Sequence, residues 1–183
     1  MTTTDFVAEL RQMSEAELEQ VGQQSLRSHV VAQAQVARAR HAPFHGESLE
    51  SFLRDPECLR HPVRLVFEFG EMAMHQFGQP DIDWRNTAED GRVLYLRPVL
   101  RDRPDLILLA VAYLVPLINY GDVVSDEACV AYGAALLGMD EQAFYTRICA
   151  LADLVGAESR LIGQAGDALP TPAAHGGRGC GCG

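Results

Sequence analysis

Lysine is absent from this chain. All fifteen basic residues among its 183 are arginine. That excludes a Walker A phosphate loop, which requires a lysine, and it excludes a lysine Schiff base or lysine general base. The longest apolar run, Leu106 to Ile118, falls short of the ~18 residues needed to span a bilayer, so no membrane segment is expected. The first residues, Met1 to Asp5, carry neither a basic flank nor an apolar stretch, and no secretory signal is expected there. Familiar catalytic signatures are missing as well: no Gly-x-Ser-x-Gly, no His-Glu-x-x-His, no Cys-x-x-Cys and no dinucleotide fingerprint. Positive charge is outweighed by 25 acidic residues, for a net charge of −10, which disfavours nucleic acid or an anionic membrane as partner. Five cysteines without an export signal point to reduced thiols and a cytoplasmic location rather than a disulfide framework.

What is present suits a globular domain, 48% hydrophobic and 22% charged. A domain of about 150 residues buries ~70% of its unfolded surface, so folding needs no metal. The expected fold is all-α, an irregular bundle of about five to six helices with a flexible C-terminal tail. Residues 1–162 form one helical domain in this reading, an arm over 1–43 and a bundle core over 44–162, and residues 163–183 form a Gly/Pro/Cys tail.

Local signals place the helices. A short one covers Thr4 to Met13. Ser14-x-x-Glu17 is a capping box that opens a helix to about Arg40, with an apolar stripe of Leu18, Val21, Ala32 and Val36 and with Leu26 at its margin. Glu47 to Arg54 is a short helix. Pro62 to Phe77 is a longer one, with proline in its first turn and Gly78 and Pro80 as its stop. Val93 to Leu96 is an extended connector, since no second strand is in view. Pro104 opens a central helix to about Tyr120 that is apolar almost all round. Ser125 caps a helix to about Leu137, ended by Gly138. Asp140 caps the last, whose stripe is Phe144, Ile148, Leu151 and Val155 and which Gly156 closes.

Several constellations carry the residue types of chemistry. On a helix over 62–77, Arg64, Glu68, Glu71 and His75 share one narrow wedge, and two carboxylates with an imidazole are what a carboxylate-bridged metal site demands. The spacing Glu71-x-x-x-His75 departs from the usual Glu-x-x-His, no second copy exists, and Arg64 would repel a cation. The plain alternative is a pair of i,i+4 polar contacts facing solvent. His29 lies at the centre of the long helix's stripe and is expected to point inward, either as a satisfied core histidine or as a fourth metal ligand. His41, His45 and His61 are expected as surface loop histidines. Asp81 to Asn86 begins like a calcium loop but has Arg85 at the fifth position and Arg92 at the twelfth. Cys129 and Cys149 are expected to pack as small hydrophobes. Cys58 lies near a helix start, where a thiolate can be stabilised, although an inert packed cysteine is the plainer reading for it as well.

The chain ends His175-Gly-Gly-Arg-Gly-Cys180-Gly-Cys182-Gly, after the breaker run Leu169-Pro170-Thr171-Pro172. Two thiols one residue apart on glycines are soft ligands and redox nucleophiles, with His175 as a third donor at most. In position and glycine framing this end is similar, over four residues, to the mobile redox tail of large thioredoxin reductases, a likeness of chemistry that implies a reach into a partner's cleft. A double-glycine cleavage point at Gly176-Gly177, with the body as the leader of a modified peptide, is a different reading of the same residues.

These features imply a small cytoplasmic accessory protein linked to metal or thiol chemistry, more binding protein than enzyme. Its body docks a protein client and Cys180, Cys182 and His175 carry thiolate chemistry or a transition metal (zinc, copper or iron). The alternatives are a non-enzymatic helical interaction module, a metalloprotein using Glu68, Glu71, His75 and His29, and the peptide precursor. A homodimer is compatible with each.

Overall fold

The computed structural model describes residues 13–69, 72–81 and 91–167, with side chains to residue 160. The expected first helix before Ser14, Glu71, Trp84 and the segment from His175 to Cys182 lie outside the described residues. Among the described residues the order is α1 Glu15–His41, α2 Gly46–Leu53, β1 Val63–Phe67, β2 Gly78–Pro80, β3 Arg92–Leu96, α3 Pro104–Tyr120, α4 Asp126–Leu137 and α5 Glu141–Asp167. The protein is mostly helical, as expected, but it is not all-α: a three-stranded sheet in the order β1-β3-β2 packs beside the helices.

The helix ends follow the local signals. The Ser14 N–H donates to Glu17 Oε2 at 2.8 Å and the Glu17 N–H donates to Ser14 Oγ at 3.4 Å, completing the capping box of α1. Ser125 caps α4, and Gly138 ends it in the left-handed region at φ 66°. The Ala143 N–H donates to Asp140 Oδ1 at the start of α5. That helix runs through Gly156 to Asp167, past the expected stop. A glycine in a helix interior costs only about 1 kcal/mol relative to alanine, and without a left-handed turn it does not end the helix.

The buried face of α1 differs from the expected one. Val30, Ala34 and Ala37 are fully buried, while Leu18, Val21 and Val36 are 41%, 38% and 47% exposed. α1 packs along α4, a helix rich in small buried residues, among them Ala128, Ala131 and Ala134. Small residues on both helices let the axes approach, so alanines rather than the larger side chains take the interface. His29 falls on the exposed side with Val21 and Val36, its ring centroid 5.8 Å from that of Tyr120 in an edge-to-face arrangement, and it does not point into the core.

The expected helix over 62–77 is replaced by strand and turn. β1 pairs in parallel with β3, Leu65 opposite Leu94, and β2 pairs antiparallel with β3, Gly78 opposite Leu96. Val63 and Val66 are β-branched and suit a pleated ribbon better than a helix interior. The stretch 93–96, expected as a connector, is the middle strand that makes β1 possible. The sheet rests on α3: a Cβ on Gly78 would lie 2.7 Å from Leu114 Cδ1 and 2.7 Å from Leu96 Cδ2, so only glycine allows β2 this close. Arg97, 3% exposed, donates to the carbonyls of Gln76 at 2.8 Å and Ala73 at 2.6 Å and pins the segment before β2.

α3 is central as expected, with Leu109, Ala110, Val111, Leu114 and Val115 buried against α4, α5 and β2. The apolar stretch Pro104–Val123 has the length and composition to cross a bilayer, and in this fold much of it is core. Phe144 of α5 is fully buried and its ring lies where a Cβ on Gly133 would sit. Gly133→Ala is therefore expected to overpack the α4–α5 contact and destabilise the protein by about 1–3 kcal/mol, read as a lower urea midpoint at unchanged slope. An unchanged midpoint would mean the contact is looser than described.

Candidate functional site

Two places bring chemistry-bearing side chains together. The first is at the C-terminal end of α1. Asp55, 9% exposed, follows α2 and is surrounded by donors. Arg40 Nε and His41 Nε2 each lie 2.8 Å from Asp55 Oδ2, the Glu57 N–H donates to Oδ1 at 2.9 Å, and Cys58 Sγ lies 3.6 Å from Oδ2. The His41 hydrogen bond, followed by those of Glu57 and Arg40, holds the Asp55 carboxyl well below the usual carboxylate range, against the opposing effect of burial. Cys58 goes the other way. Burial first, and then the Asp55 carboxylate, push its thiol up to about 11. Cys58 is thus a protonated thiol at neutral pH, a packed cysteine rather than a stabilised thiolate.

His41, Asp55 and Cys58 place one ligand-type atom each within 4.8 Å of one another, a His–Asp–Cys group of metal-binding type. Its donor set fits a cation poorly. The Arg40 guanidinium already occupies the same carboxylate oxygen, the thiol holds its proton, and only three donors converge. Its evident chemistry is that of a charge-assisted clasp tying the end of α1 to the turn after α2. Asn119 ties the same turn to α3, donating to the Cys58 carbonyl at 3.0 Å and accepting from the Arg60 N–H at 3.1 Å. Asn119, near the C-terminal end of α3, spends both ends of its amide on this clamp.

The second place is a cleft of about 930 Å³. One wall is α2, with Leu49, Glu50, Leu53 and Arg54. The floor is β1, with Val63, Arg64, Leu65 and Phe67. The far wall is the start of α3, with Pro104, Asp105, Ile107 and Leu108, and Arg101 stands at the rim. Arg54, Arg64 and Arg101 have no carboxylate within ion-pair distance among the described residues, whose ion pairs are those of Arg27, Arg40 and His41. Arg101 instead donates to the Phe67 carbonyl at 3.3 Å. An acidic protein thus gathers, over an apolar slot, three guanidinium groups that no carboxylate among the described residues neutralises.

The expected site residues are dispersed. Glu68 follows β1, His75 is in the turn before β2, and His29 is on α1; all three are exposed, and with Glu71 outside the described residues they make up no ligand group. Arg64 and Glu68 are not one helical turn apart, since β1 is a strand. Cys180, Cys182 and His175 lie outside the described residues. Cys129 is buried as expected, but Cys149 is exposed. Sequence reasoning missed His41, Asp55 and the cleft. The pairing of Arg40-His41 with Asp55 had only a weak local hint, a basic helix C-terminus followed within 16 residues by Glu47, Glu50, Asp55 and Glu57, whereas the cleft depends on the sheet and had none. No family model, curated protein or solved structure matches the chain.

The clasp makes a pH-dependent prediction. A carboxyl with a lowered folded-state pKa stabilises the fold above its unfolded value near 4, and that contribution is lost as pH falls toward the folded value. Asp55→Asn is expected to cost about 1–3 kcal/mol at pH 7. The gap between the wild-type and variant unfolding free energies should shrink between pH 5 and pH 2. A gap that stays constant on acidification would show that the carboxylate charge is not what holds the turn.

Proposed function

We propose that this chain is a non-catalytic accessory module. Its body docks a protein client in the cleft beside β1, and the Cys180–Cys182 pair, with His175, carries thiolate or metal chemistry to that client. The observation behind the docking half is the set of three arginines without carboxylate partners over an apolar slot, in a protein of net charge −10. The local balance is positive, with Arg54, Arg64 and Arg101 against Glu50 and Asp105. Beyond a Debye length of about 8 Å the rest of the negative surface is largely screened. The fitting guest is a polypeptide segment with apolar side chains and carboxylates, in which charge gives selectivity and apolar burial gives affinity. The thiolate half rests on the Cys-x-Cys spacing alone.

Each half has its own test. A fluorescein-labelled octapeptide of alternating valine and glutamate should bind at least about tenfold tighter than one of valine and lysine, equal to ~1.4 kcal/mol. The exposed substitution Arg64→Glu should reverse or erase that preference without lowering the melting temperature. Equal binding of the two peptides, or none, removes the docking half. For the other half, full-length protein prepared without oxygen should carry zinc, copper or iron, or a titratable dithiol. Cys180→Ser with Cys182→Ser should lose it while peptide binding persists. Identical metal content and thiol reactivity in both proteins would leave that segment without a role.

A further inference from the structure

Among the described residues, one side of β1 is unpaired. It is an edge strand in the order β1-β3-β2. In a parallel ladder the residues of a strand alternate: one set turns both N–H and C=O toward the neighbour, and the other turns both away. Two bonds identify the set that faces β3. The Arg92 N–H donates to the Pro62 carbonyl at 2.7 Å, and the Glu68 N–H donates to the Leu96 carbonyl at 3.0 Å. Even-numbered residues face β3, so Val63, Leu65 and Phe67 turn their backbone groups outward. The Arg101 bond to the Phe67 carbonyl agrees, since that oxygen is on the outer side. Among the described residues no partner takes the other outward groups, and all three residues line the cleft.

We propose that the guest binds as an added strand, an extended segment of about five residues hydrogen-bonded along the outer edge of β1. This rests on the docking reading above and specifies its geometry. The slot has the right size: a five-residue strand, with side chains on both faces, fills about 800 Å³, against a cleft of about 930 Å³. The walls set the guest's pattern. Side chains on the Leu65 face of the extended sheet meet Ile107 and Leu108 and should be apolar. Those on the opposite face, where strand alternation puts Arg64, should be acidic. A second copy of this chain fits less well, because its β1 would bring another Arg64 to the arginines already there.

The test is a backbone N-methylation scan of the valine–glutamate octapeptide against the full chain. Methylation at every second residue should weaken binding by about tenfold or more, with about twofold or less between. Loss at the valines indicates an antiparallel guest and loss at the glutamates a parallel one. At saturation, amide exchange at Val63, Leu65 and Phe67 should slow at least about tenfold, while Arg64 and Val66, already bonded to β3, should not change. Even losses at all positions, or no losses, with the unmethylated peptide still bound, would overturn strand addition and leave the docking reading intact. Free protein in which those three amides are already protected, by a second copy or by residues 1–12 or 168–183, would overturn it too. Failure of the unmethylated peptide to bind would remove the docking reading, and this inference with it.

Discussion

The parallel pairing of β1 with β3 is the contact on which the cleft depends. The two five-residue strands begin 29 positions apart, Val63 opposite Arg92. A sheet this small is marginal alone and needs a packed face. That face is supplied by α3. Leu94 and Leu96 are fully buried and Gly78 brings β2 against Leu114. A helix apolar on most sides can serve two layers at once, with α4 and α5 on one side and the sheet on the other. The cleft follows from this arrangement, since its floor is the strand and one wall is the start of the helix beneath it.

That dependence explains which parts were legible in the sequence. Helix ends were, because capping is local: Ser14, Ser125, Gly138, Pro104 and Asp140 act within a turn of their own positions. The stripe of α5 was legible because its large apolar residues face the core. The face of α1 was not, because close packing on α4 buries Ala34 and Ala37 and leaves Val21 and Val36 outside. A pattern weighted by side-chain size then points about a third of a turn astray. β1 and β3 hid each other. Each is a strand only because the other is, and the polar residues 64, 68, 71 and 75 mimic a helical wedge in a segment that contains Gly70. The metal reading of Glu68, Glu71 and His75 drew its force from that wedge.

The two arginine clusters use the same side chain for opposite ends. At the clasp, Arg40 meets a buried carboxylate whose remaining lone pairs are also taken, and the charges are spent holding α1 to the turn at Asp55. At the cleft, Arg54, Arg64 and Arg101 meet no carboxylate among the described residues, and their attraction for an anion is not spent on one there. With no lysine in the chain, every such contact uses a planar fork suited to bidentate carboxylate binding.

An open strand edge is a hazard as well as an opportunity. Proteins blunt such edges with short strands and charges, and β1 has both: five residues, and Arg64 within it. These devices oppose promiscuous pairing with neutral or basic strands, including β1 of another copy. They do not oppose a strand that brings carboxylates to Arg64 and apolar groups to Ile107 and Leu108. α2 and the start of α3 line the same cleft as this edge, so a guest strand meets their side chains as well as the backbone of β1. Protection against aggregation and selectivity for an acidic guest are, at this edge, the same arrangement of charge and wall.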